Sequence, residues 1–83
     1  MLHFEHTDTF GGESNYAWVR RLALTPEARA DLHLVKDSDR AIVRAAKKWA
    51  GLNGVRCNVS NFGDMIEIRP RGICQVVFVT WED

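Results

Sequence analysis

Five groups of residues in this chain have types that could do chemistry. They are the run Phe10-Gly11-Gly12-Glu13-Ser14-Asn15, the pair His3 and His6, the cysteines Cys57 and Cys74, the acids Asp64 and Glu67 beside Arg69, and a string of cations from Arg40 to Arg56. A glycine loop that cradles phosphate opens onto a helix N-terminus, whose converging N–H groups and dipole hold the anion. Here the run opens onto YAWVRRLAL, which is aromatic and β-branched enough to read as a strand, and it carries its own negative charge at Glu13. It reads as a hairpin turn. His3 and His6 stand three apart in a β-prone run, so their side chains point to opposite faces and do not chelate one ion. Even where Cys57 and Cys74 meet across strands, two thiolates lack the remaining ligands of a zinc site; both sit in apolar, strand-like company and read as buried reduced thiols. Asp64 and Glu67 echo the acidic pair of metal-dependent nucleases, yet a strand turns them apart, and arginine stands where lysine is usual. No serine or cysteine sits in an elbow beside a histidine. The expectation is a non-enzymatic protein with no catalytic residue, no cofactor and no metal.

Binding chemistry is better represented. Residues 40–56 hold Arg40, Arg44, Lys47, Lys48 and Arg56 with no acid among them. Solvated helix faces usually interleave both signs, so a patch of one sign in a neutral protein points to an anionic partner. A protein with an acidic surface is the first expectation, and nucleic acid is the alternative. A second candidate surface comes from alternation in the strand after the turn, which puts Tyr16, Trp18 and Arg20 on one face. Aromatics beside an arginine on an open sheet face can anchor a protein partner or stack bases. The plainer reading is that Tyr16 and Trp18 fill the core.

The elements that must position these residues follow from local signals. LHFEHTDT (2–9) and YAWVRRLAL (16–24) flank the glycine turn as a hairpin. Residues 25–37 form a connector in which Thr25 can cap a short helical turn with Pro26 at its first position. SDRAIVRAAKKWAGL is the clearest element: Ser38 is an N-cap, Asp39 complements the dipole and Gly51 fits the stop. Helical spacing stacks Ile42, Ala45, Ala46 and Trp49 on one face and the four cations on the other. VRCNVSNF, DMIEIRP and CQVVFVTW read as three strands, separated by turns at 61–63 and 70–72. The order is ββ-α-βββ, an α+β fold in which one amphipathic helix packs on one face of a small antiparallel sheet of about five strands. The other face is left partly bare, which makes a homodimer the third expectation.

The totals agree with this picture. The chain has 83 residues, no formal net charge, and is 46% hydrophobic and 27% charged, as for a single globular domain over 1–83. Neutrality counts against a protein that mainly wraps nucleic acid. No apolar run approaches the ~18 residues of a membrane span, and MLHFEHTDTF lacks the features of a secretory signal, so a cytoplasmic, soluble chain is expected. The runs DTFGGESNYAWVRR, SDRAIVRAAK, GVRC and DMIEIRPRG resemble small uncharacterised proteins encoded by bacteriophages and prophages. That resemblance implies a phage accessory protein acting in the host bacterial cytoplasm, with no established activity to carry over. By analogy of size and setting only, it implies a modulator or inhibitor of a host complex, as anti-CRISPR proteins are.

Overall fold

The computed structural model describes residues 1–82. Two long antiparallel strands open the chain, β1 (Leu2–Phe10) and β2 (Glu13–Ala23). Gly11 and Gly12 between them have φ of 61° and 84°, the left-handed pair that a two-residue hairpin turn requires. Next come α1 (Pro26–Asp31), α2 (Asp39–Trp49), β3 (Cys57–Asn61), β4 (Met65–Pro70) and β5 (Gln75–Trp81). The five strands form one sheet in the order β2-β1-β5-β4-β3, with every neighbouring pair antiparallel. This is a small α+β fold, with two helices where one was expected. The connector 25–37 supplies the additional helix.

Both helices are bounded by the same local devices. Thr25 accepts a hydrogen bond from the Ala28 N–H (3.2 Å) and Pro26 occupies the first turn of α1. Ser38 does the same for the Ala41 N–H (3.2 Å) at the start of α2. At the end of α2, the Gly51 N–H donates to the Lys48 carbonyl and the Leu52 N–H to the Lys47 carbonyl. This paired closure needs a left-handed residue, and Gly51 has φ 75°. α1 closes identically through His33 and Leu34, which donate to Ala30 and Arg29. There the left-handed residue is His33, at φ 54°. In each case the following leucine, Leu34 or Leu52, turns inward and is buried.

Leu2, Phe4, Ile66, Ile68, Val77 and Val79 share a core cluster with Ile42, Ala45 and Ala46 of α2. Register explains the sharing. Phe4 lies opposite Val79, Val79 opposite Ile66 and Val77 opposite Ile68, so these side chains emerge on one face. α2 contributes Ile42, Ala45 and Ala46 to that cluster and is tied at both ends. Asn61 at the end of β3 donates to the Asp39 carboxylate (2.7 Å), and Arg20 of β2 donates to the Trp49 carbonyl (3.4 Å).

The other face carries a polar ladder rather than a bare apolar surface. Arg21, Glu5, Phe78, Glu67 and Ser60 follow one another across the five strands, with ion pairs Arg21–Glu5 (3.5 Å) and Arg69–Glu67. Arg69 also donates to the Gly12 carbonyl at the hairpin tip (2.7 Å). A link from β4 to that tip requires the hairpin to curl over this face. Thr7 and Val76, which lie opposite each other there, are fully buried.

Candidate binding surfaces

The outward face of α2 is the first surface. Arg40, Arg44, Lys47 and Lys48 fall within about 100° of the helical wheel at 100° per residue, opposite the buried Ile42, Ala45 and Ala46. Among the described residues none of these four cations, nor Arg56, forms an ion pair. Several carboxylates are engaged elsewhere: Glu5 and Glu67 in the sheet, Asp37 on Arg29, Asp39 on Asn61 and Asp8 on the hairpin. The chain is neutral, yet folding leaves this face uncompensated.

Two grooves run along the basic ridge. One, of about 520 Å³, lies between α2 and the α1–α2 connector, with Leu32, Leu34 and Val35 beside Lys36, Arg44 and Lys48. The other, of about 360 Å³, is lined by Arg40, Val43, Arg44, Lys47, Asn53 and Gly54. Arg44 lines both and forms the ridge between them. Lys36 joins the cluster through the turn after α1; its position in an irregular connector gave no periodicity from which to place it. Arg56 lines neither groove. Its carbonyl accepts the Arg71 N–H (2.8 Å), so it belongs to the β3–β4 end of the sheet.

The second surface departs from simple alternation. Thr7 pairs with Val19 and Thr9 with Ser14, so Asn15, Tyr16, Ala17 and Trp18 together stand opposite Asp8 alone. This wide bulge is clamped by the Asp8 carboxylate, which accepts from the Asn15 side chain and the Ala17 N–H, both at 2.9 Å. The Asn15 hydrogen bond, with the backbone N–H groups behind it, holds the Asp8 carboxyl below its ordinary value. Tyr16 takes φ 55° within the bulge and stands half exposed, outside the strand's alternation. Tyr16, Trp18 and Arg20 therefore do not form one stripe on the open face, and that expectation is corrected. Trp18 turns to the α2 side and meets His6 edge-on at 4.7 Å. Arg20 lies there too, its guanidinium 4.8 Å from the Trp49 ring centroid.

His6 sits between these tryptophans, 4% exposed. Its Nε2 lies 2.9 Å from Gln75 Oε1, and its Nδ1 has no partner. His6 shares the strand phase of Leu2 and Phe4, which turns it inward. Its meeting with Trp18 and Trp49 escaped the sequence, because it depends on strand pairing and on the placement of α2.

The remaining candidates are dispersed. His3 faces away from His6 and lies 3.2 Å from Glu82. Cys57 is half-buried and Cys74 is exposed in the β4–β5 turn, which corrects the expectation that both are buried; a turn residue has no sheet layer over it. Among the described residues no three His, Cys, Asp or Glu side chains gather as a metal site would need, and no helix is long and apolar enough to cross a membrane. Comparison with protein-family models, with curated proteins and with solved structures finds no match to this chain.

Proposed function

We propose that this protein is a small non-enzymatic interaction module whose α2 face docks onto an acidic protein surface. The observation that carries this reading is the segregation of charge: four cations share one outward helix face without an ion pair among the described residues, while Glu5, Asp37 and Glu67 pair with other arginines. Desolvating such a face beside apolar Leu32 and Val35 suits arginine and lysine anchors meeting carboxylates. α2 is held at both ends, so the cations are presented on a rigid element. Action in a bacterial cytoplasm, as a phage-encoded modulator of a host complex, belongs to the same proposal and rests on the resemblance of the sequence.

The test is fluorescence anisotropy with a labelled poly-glutamate peptide and with labelled single- and double-stranded DNA and RNA. The peptide should bind saturably, and combined Arg40→Glu, Arg44→Glu, Lys47→Glu and Lys48→Glu substitution should abolish binding. Unchanged binding by that variant would remove α2 from the interface. A second reading, nucleic-acid binding, draws on the half-exposed rings of Tyr16 and Trp18, which could stack bases. Its signature is a log affinity falling with log salt at a slope of about 3, as expected for four phosphate contacts.

A further inference from the structure

The sheet has two edges, and only one is guarded. The β2 edge is interrupted by the bulge at 15–18 and bordered by Arg20 and Arg21, features that obstruct strand addition. The β3 edge has no such feature. Cys57-Asn58-Val59-Ser60-Asn61 carries no charge and no proline, and it pairs with β4 in unbroken register.

Two flanking hydrogen bonds establish which backbone groups this edge leaves open. The Arg71 N–H donates to the Arg56 carbonyl and the Phe62 N–H to the Met65 carbonyl. In an antiparallel ladder, residues that exchange hydrogen bonds alternate with residues that do not. Arg56, Asn58, Ser60 and Phe62 therefore turn their peptide groups toward β4. Cys57, Val59 and Asn61 turn theirs outward, as an unfilled half-ladder.

We propose that this half-ladder pairs with the β3 edge of a second copy of the chain, antiparallel and centred on Val59. A two-fold axis at Val59 sets Val59 opposite Val59, and Cys57 opposite Asn61 of the second copy, so every outward group meets another outward group. On the α2 side lies a notch of about 350 Å³, lined by Asp39, Arg40, Val43, Val59, Asn61 and Ile66. Val59 and Cys57 of the second copy come to lie against it. On the other side Arg56 comes opposite Phe62 of the second copy. Phe62 is 59% exposed in the single chain; the pairing offers it a cation–π partner at both ends of the interface. No like charges face one another within the strand. A foreign strand would satisfy the backbone equally, but only β3 brings the Arg56–Phe62 match by symmetry. The axis runs normal to the sheet, so both α2 helices emerge on the same side and the basic face is doubled. The pairing itself does not depend on what that face binds.

Sedimentation equilibrium of the full chain tests this without any partner. The wild type should approach twice the 9.5 kDa chain mass as concentration rises. Val59→Pro should remain monomeric with an unchanged far-UV spectrum, because the Val59 N–H makes no bond to β4 and proline is tolerated at such an edge position. Should Val59→Pro fail to fold, Val59→Lys at the same exposed site decides instead, and a folded monomer is again expected. A wild-type monomer at millimolar concentration would overturn the proposal. So would a dimer that persists in the folded Val59 variant.

Discussion

Arg44 stands at the centre of the basic face, and replacing it should make the protein more stable while it binds less well. Arg40 is four residues before it, Lys47 three after and Lys48 four after, so all three close like-charge pairs on α2 include Arg44. Each such pair destabilises a helix by about 0.2–0.5 kcal/mol. Arg44→Gln should thus relieve about 0.6–1.5 kcal/mol at low ionic strength, and Arg44→Glu should add attraction to the relief. Exposure trims these figures, because surface charges are screened and their side chains pay entropy to pair. We therefore expect a net gain of about 1 kcal/mol for Arg44→Glu, or a melting temperature higher by about 4–8 °C in a domain of this size. Glutamate and arginine have similar helix propensities, so the backbone adds little to the difference. The assay is urea or thermal unfolding of wild type, Arg44→Gln and Arg44→Glu across a salt series. The gain should shrink toward zero at 1 M salt, where the screening length is about 3 Å. Arg44→Glu should at the same time weaken capture of the acidic peptide. A loss of stability at low salt, or a gain indifferent to salt, would refute the argument: Arg44 would then be held by the fold rather than strained by its neighbours.

Other changes probe the scaffold that holds this face. His33→Gly should raise stability by about 0.5–1 kcal/mol in chemical unfolding, since glycine takes φ 54° without a Cβ penalty, whereas Gly51→Ala should lower it by about 1–2 kcal/mol. Ile68→Ala empties a fully buried site in the core and should cost about 2–5 kcal/mol, a large share of the total for a domain this small. The Asp8 clamp should be sensitive to acid. Its carboxyl is held below the ordinary 3.8 in the folded chain, so its stabilisation is complete above that value and is lost as pH falls through the lower folded-state value. Protection of the Ala17 amide, taken relative to its intrinsic exchange rate at each pH, should fall over that range in wild type, and Asp8→Asn should abolish the pH dependence of that protection while leaving the sheet intact.

Local interactions made much of this molecule legible without coordinates. The cap at Ser38, the stop at Gly51 and the two faces of α2 depend on residues no more than about four apart, and each falls where the spacing places it. The Gly11-Gly12 turn and the five strands are of the same kind. Thr25 and Pro26 announced α1 as well, although its six residues were too short to show a period.

Tertiary structure decided what required distant parts of the chain to meet. β5 inserts beside β1, so the two ends of the chain form the centre of the sheet and β3 becomes an edge. Asp8 gathers the Asn15–Trp18 bulge, which sends Tyr16 out of alternation, while Trp18 keeps the phase of Arg20 and faces α2. Alternation assumes an unbroken ladder, and nothing in YAWVRR announces a carboxylate eight residues upstream that will break it. The cations on α2 could be read from their spacing. That they stay uncompensated is a property of the fold, because only three-dimensional proximity determines which carboxylates are already bound to something else.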